Sequence, residues 1–230
     1  MAKLSNYKGM VIAVGGPPHS GKSVFLAELY RQLLARRPAG VFLQRACPDG
    51  EGMWSAEADP AVVAEIRRKG NFDAGFMTFT LKSIEALGTR FPITLVDLGG
   101  RRSAQNAEIL ARCSHLVNLV RSDKAEEGTE WIKFAANDGC ELLADFASAR
   151  VYSPGHEGSD DSDHLDLSAR SEVSDKSGVA FGTLRNLDRG KKGESEERKA
   201  LRLECYREAV SRFADWLIAR ADAESVRSNP

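Results

Sequence analysis

Apolar residues along this chain fall into two alternating rhythms, short unbroken runs and helical stripes, and the alternation predicts the fold. Residues 10–14 form a short β-type run that ends in a glycine-rich turn. Between 23 and 36, Leu26, Leu29, Tyr30 and Leu33 recur at i, i+3, i+4 and i+7, which puts them on one helical face. Pro38 stops that helix. A second strand is expected over 41–43, running into a turn-rich loop over 47–52. Helices are expected over 61–69 and 72–87, broken by Gly70. The run 93–98 is the strongest buried-strand candidate, closed by Gly99 and Gly100. Ser103 is placed to cap a helix reaching to about Cys113, and a strand follows over 115–120. Asp123, with Glu126 three residues later, makes a capping-box pattern for the next helix. A fifth strand is expected over 141–146. Strands alternating with helices of this length predict an α/β fold, a mostly parallel doubly wound sheet flanked by helices.

The pattern changes over 153–177, where Ser, Asp, Gly and Glu dominate. Two readings stay open there: a flexible excursion, or a polar hairpin between Val151 and a strand over 179–184. Asp160, Asp161 and Asp163 are dense, but the EF-hand spacing is absent, so a solvated loop is preferred to a cation site. The chain closes with a helical stretch over 194–220, in which Leu203, Tyr206, Val210, Phe213 and Leu217 make one stripe fit for packing on the sheet. The whole is expected to be one domain over 1–230.

Composition narrows the function. Across 230 residues the net charge is −1, which gives no footprint for direct nucleic-acid binding. No stretch approaches the roughly 18 apolar residues of a membrane span. Residues 1–10 are polar, which argues against a secretory signal. Cys47, Cys113, Cys140 and Cys205 stand far apart without ligand spacing, as reduced thiols of a cytoplasmic protein would.

The chemistry concentrates in Gly16-Pro17-Pro18-His19-Ser20-Gly21-Lys22-Ser23, a full match to G-x-x-x-x-G-K-[ST], with an apolar strand entering and an amphipathic helix leaving. Such a P-loop wraps backbone N–H groups round a phosphate at the positive end of a helix. Lys22 can reach the β- and γ-phosphates, and the Ser23 hydroxyl can ligate Mg²⁺. Pro17 and Pro18 each remove an amide, but early in the loop; the donors that matter run from His19 through Ser20 and Gly21 to Ser23.

Asp97, at the end of the 93–98 strand, is placed as the Walker B acid of a magnesium shell. Gly100 turns that segment into D-x-x-G, whose amide could sense a γ-phosphate. No [NT]-K-x-D guanine-reading motif follows, so ATP is the expected nucleotide. Asp49 and Glu51, in the loop after the second strand, are candidates to orient or deprotonate an acceptor hydroxyl. Arg101 and Arg102 could bind acceptor or γ-phosphate charge. Arg67, Arg68, Lys69, Arg185, Arg189, Lys191 and Lys192 are weaker lid candidates, more easily read as surface charge.

The runs GGPPHSGKS, RACPDGEGMW and VDLGGRRS, with the later GTLRNLDRG, resemble the nucleotide-kinase-like P-loop NTPase domain fused to ring nucleases of type III CRISPR systems. The nuclease module has no counterpart here. The resemblance implies a role near cyclic-oligonucleotide signalling in antiviral defence, with a nucleotide or cyclic oligonucleotide as acceptor, a ring nuclease as partner and self-association as a further expectation.

Two functions from different classes follow. One is a Mg²⁺-dependent ATPase or kinase-type phosphotransferase. The other is a nucleotide-controlled switch or interaction module with little turnover. The switch reading wants a threonine in a loop before Asp97 to close on the metal; Ser55 is the only nearby hydroxyl after the second strand, and Thr78 and Thr80, on a helix, are poorly placed. A nucleic-acid-associated ATPase is disfavoured by the balanced charge.

Overall fold

β1 (Met10–Gly15) is buried at all six positions and carries two sheet neighbours, β3 (Ile93–Asp97) and β4 (His115–Arg121). The computed structural model describes residues 7–48, 72–157, 161–191 and 193–227. The remaining elements are α1 (Lys22–Arg36), β2 (Val41–Arg45), α2 (Ala74–Gly88), α3 (Ala104–Leu110), α4 (Ala125–Asn137), β5 (Glu141–Ala149), β6 (Glu172–Lys176), β7 (Val179–Arg185) and α5 (Glu196–Arg227). They build one seven-stranded sheet in the order β2-β3-β1-β4-β5-β7-β6. All pairings are parallel except that of β6 with β7. Because strands buried on both faces need no polar alternation, β1 reads as an uninterrupted apolar run, and β3 as one broken only by Thr94 before it ends in Asp97.

The order explains the layers. The connection from β1 travels to β2 on one side, whereas those from β2, β3 and β4 all travel the other way. Right-handed crossovers then put α1 on one face and α2, α3 and α4 on the opposite one. Two apolar clusters follow. One joins Ile12 and Val14 to Phe25, Leu29 and Leu33 of α1 and to Val210, Phe213 and Leu217 of α5. The second joins Val11 and Ala13 to Ile84, Ile109 and Trp131. Phe146 of β5 meets Phe25 and Phe213 edge-on or tilted at 5.8 and 5.0 Å, so α1, β5 and α5 share one aromatic contact. α5 is also tied to α1 by Arg36–Asp215 at 2.6 Å and Arg37–Asp222 at 2.5 Å.

Most expected elements recur with moved ends: β2 extends to Arg45, β5 to Ala149, and α3 stops at Leu110. The helix expected over 61–69 lies outside the described residues. One local expectation is corrected. Asp123 does not cap a helix; it sits in a 3₁₀ turn, Ser122–Lys124, and α4 starts at Ala125 without a side-chain cap. Arg121, two residues back, takes both carboxylate oxygens at 2.9 and 2.7 Å, and a charge-assisted fork outcompetes an amide. Of the two readings for the polar segment, its second half forms the hairpin: β6 and β7 turn through Ser177 and Gly178, at φ 54° and 79°. Its first half is pinned by the Tyr152–Leu165 bridge.

Candidate functional site

β1 delivers the chain to Gly16, and no other residue fits there. Its φ is 136°, and a Cβ would stand 1.9 Å from the Leu119 carbonyl oxygen of β4. The loop then exposes Pro18 and His19, buries Ser20, and enters α1 at Gly21, left-handed at φ 87°. His19 is also left-handed, at φ 61°. Left-handed residues alternating with others turn successive amides to one side, the shape of an anion nest. Lys22 is buried to 9% exposure, and its Nζ donates to the carbonyl oxygens of Gly16 at 2.9 Å and Pro17 at 2.7 Å. The ammonium therefore sits inside the curl of the loop. No side chain caps α1, and its first turn holds no acid. Its first amides and dipole are left to a ligand.

Asp97 ends β3 in direct register with Val14, the penultimate residue of β1, and it is 9% exposed. Leu98 N donates to Val14 O at 3.3 Å, which continues the pairing to the loop's root. Gly100 touches the loop itself: a Cβ there would meet Pro18 N at 2.7 Å. Asn106, which the sequence reading missed, holds this second loop in place. Its Nδ2 donates to Gly99 O at 3.1 Å and Arg101 O at 2.6 Å, and it is 1% exposed. Ser103 caps α3 as expected, accepting from Asn106 N at 3.3 Å. Arg101 and Arg102 emerge from this loop exposed.

Asp49, Glu51, Ser55, Arg67, Arg68, Lys69 and Lys192 lie outside the described residues. Thr80 is fully buried within α2, and Thr78 lies exposed on the same helix. Of the other weaker cations, Arg185 pairs with Glu172 at 3.6 Å and Lys191 bonds Asp161 and Asp163. Those two aspartates thus engage a lysine. Arg189 alone among them reaches the phosphate loop, on Ser23. The four cysteines are free thiols.

The residues present fit a magnesium-bound polyphosphate. Ser23 and Asp97 offer hard oxygen donors of the type Mg²⁺ takes, and the glycines at 16 and 21 supply the positive φ that the loop needs. Sheet order, loop and strand-end acid together define a P-loop NTPase fold.

Comparison with known proteins is sparse. No protein-family model and no curated protein sequence matches the chain. Among solved structures it is similar to the signal recognition particle receptor FtsY from Elizabethkingia anophelis, at 14% identity and a TM-score of 0.39, over 60% of this chain and 50% of the receptor chain. It is also similar to the kinase domain of the Escherichia coli tyrosine kinase ETK, at 12% identity and a TM-score of 0.43, over 65% of this chain and 68% of that one. The chain thus matches half the length of the receptor. Among the described residues no helix is long and apolar enough to cross a membrane.

Proposed function

We propose that this chain binds Mg–ATP at residues 16–23 and acts as an ATPase or kinase-type phosphotransferase. The observation that carries the reading is the registered pairing of Val14 with Asp97, which sets a strand-end carboxylate beside a loop whose lysine is already turned inward. In this reading the amides of residues 19–23 bind the β-phosphate. Lys22 exchanges its loop carbonyls for β- and γ-oxygens, offsetting charge that grows there during transfer. Ser23 and Asp97 would hold the metal, which would supply charge neutralisation to the phosphates. Arg101 and Arg102 stand where an anionic acceptor would approach, and Asp49 and Glu51 are the proposed acceptor-orienting acids. The cytoplasmic setting, the tie to cyclic-oligonucleotide signalling, the ring-nuclease partner and self-association rest on the sequence and its resemblance alone.

The test is ATP binding by calorimetry together with phosphate release. Lys22→Ala should weaken ATP binding at least about a hundredfold and abolish turnover, since a buried charge-assisted contact is lost. Binding and turnover equal to wild type would refute the site.

One observation favours the switch as a second reading. The Gly100 backbone is packed on Pro18, so a change in the phosphate loop is passed directly to the loop after β3. Assembly that differs between ATP and ADP without hydrolysis would select it.

A further inference from the structure

Arg189 reaches the phosphate loop from 166 residues away, where its Nη2 donates to Ser23 Oγ at 3.4 Å. The turn that carries it is built rather than draped. Asn186 is fully buried at φ 53°, accepts from Val151 N at 2.8 Å and donates through Nδ2 to Asp166 O at 2.8 Å. Asp188 accepts from Gly190 N at 2.8 Å and from Arg150 Nη2 at 2.7 Å. Arg202 of α5 donates to the Asp188 carbonyl and pairs with Glu194 at 2.6 Å. Leu187 is seated so close to Gly21 that a Cβ on the glycine would stand 2.8 Å from its own Cβ. None of these anchoring bonds uses the Arg189 side chain, which is exposed and long enough to swing.

We infer that Arg189 is a triphosphate-binding residue supplied by the same chain, rather than the surface charge its sequence setting suggests. The inference rests on the nucleotide reading above. A guanidinium on the oxygen that ligates a divalent cation is repelled once that cation arrives. The neighbouring anions are then the phosphate oxygens, whose geometry suits its forked donors. Ser23 passes to the metal and Arg189 passes to the terminal phosphate. The chemical consequence is discrimination: a nucleoside triphosphate gains a contact that a diphosphate lacks.

Calorimetry of the full chain with Mg–ATP and Mg–ADP tests this in wild type, Arg189→Ala, Arg189→Lys and Lys22→Ala. Arg189→Ala should raise the Kd for ATP about tenfold and that for ADP less than threefold, with an unchanged melting temperature, and Arg189→Lys should recover part of the loss. Unchanged ATP affinity in Arg189→Ala, or equal losses for ATP and ADP, overturns the assignment. Failure of the nucleotide reading looks different: wild type binds no ATP, or Lys22→Ala binds it as well as wild type.

Discussion

The helix starts of this molecule divide into two kinds. α2 and α3 begin with Asp73 and Ser103, whose side chains accept from the amides three residues on. α4 and α5 begin with pairs of glutamates in the first turn. Each of these ends satisfies its orphan amides or its dipole from its own sequence. Of the five helices among the described residues, α1 alone has neither device. It starts from a left-handed glycine, buries Phe25, Leu29 and Leu33, and follows a strand paired on both sides. A helix packed that well can start without a side-chain cap, because burial of Phe25, Leu29 and Leu33 supplies stability that caps supply elsewhere. The difference teaches where a ligand is expected to complete the fold.

Substitutions can break that contrast. The largest stability effect is expected from Gly16→Ala, because its Cβ would collide with backbone rather than with a side chain that can turn away. About 3 kcal/mol of unfolding free energy should be lost in a urea titration. A cost below ~1 kcal/mol would show that the entry to α1 is not as constrained as described. Next comes Asp73→Ala, which removes a cap from α2 and should cost about 1 kcal/mol. ATP affinity should stay at the wild-type value, since that end serves structure alone; a weakened affinity would erase the division between the two kinds of start.

The smallest effect concerns pH, at the start of β4. Burial holds the His115 imidazole below its usual 6.5, although Glu224 and Glu141 pull the other way and Arg220 reinforces the drop. The folded state therefore binds this proton less readily than the unfolded chain. That contribution is complete above pH 6.5 and is lost as pH falls below it. Thermal melts between pH 7.5 and 5 should fall less in His115→Gln than in wild type. Equal slopes would remove His115 from the account.

How much of this was legible beforehand depends on sequence distance. β1, β3, the P-loop and Asp97 are written locally, as apolar runs, glycines and a strand-end acid, and local patterns survive folding when no neighbour competes. Asp123 shows the converse, since Arg121 claimed a carboxylate that the capping rule assigned to an amide. The order of the sheet, the hold of Asn106 on the second loop and the turn around Asn186 arise from contacts that no spacing encodes. Arg189 looked like surface charge because its meaning depends on Ser23, at the other end of the chain. Asp49 and Glu51 fall outside the described residues, and their role is argued from sequence position alone.

The seating of Leu187 on Gly21 has a consequence for synthesis. A ribosome that has released the first half of the polypeptide has exposed the glycine-lysine motif, but not the turn that presses against it or the last helix that holds that turn. Such a nascent chain carries the signature and lacks the pocket wall. Nucleotide capture should therefore begin late in translation, once the segment through Leu217 has emerged and closed over α1.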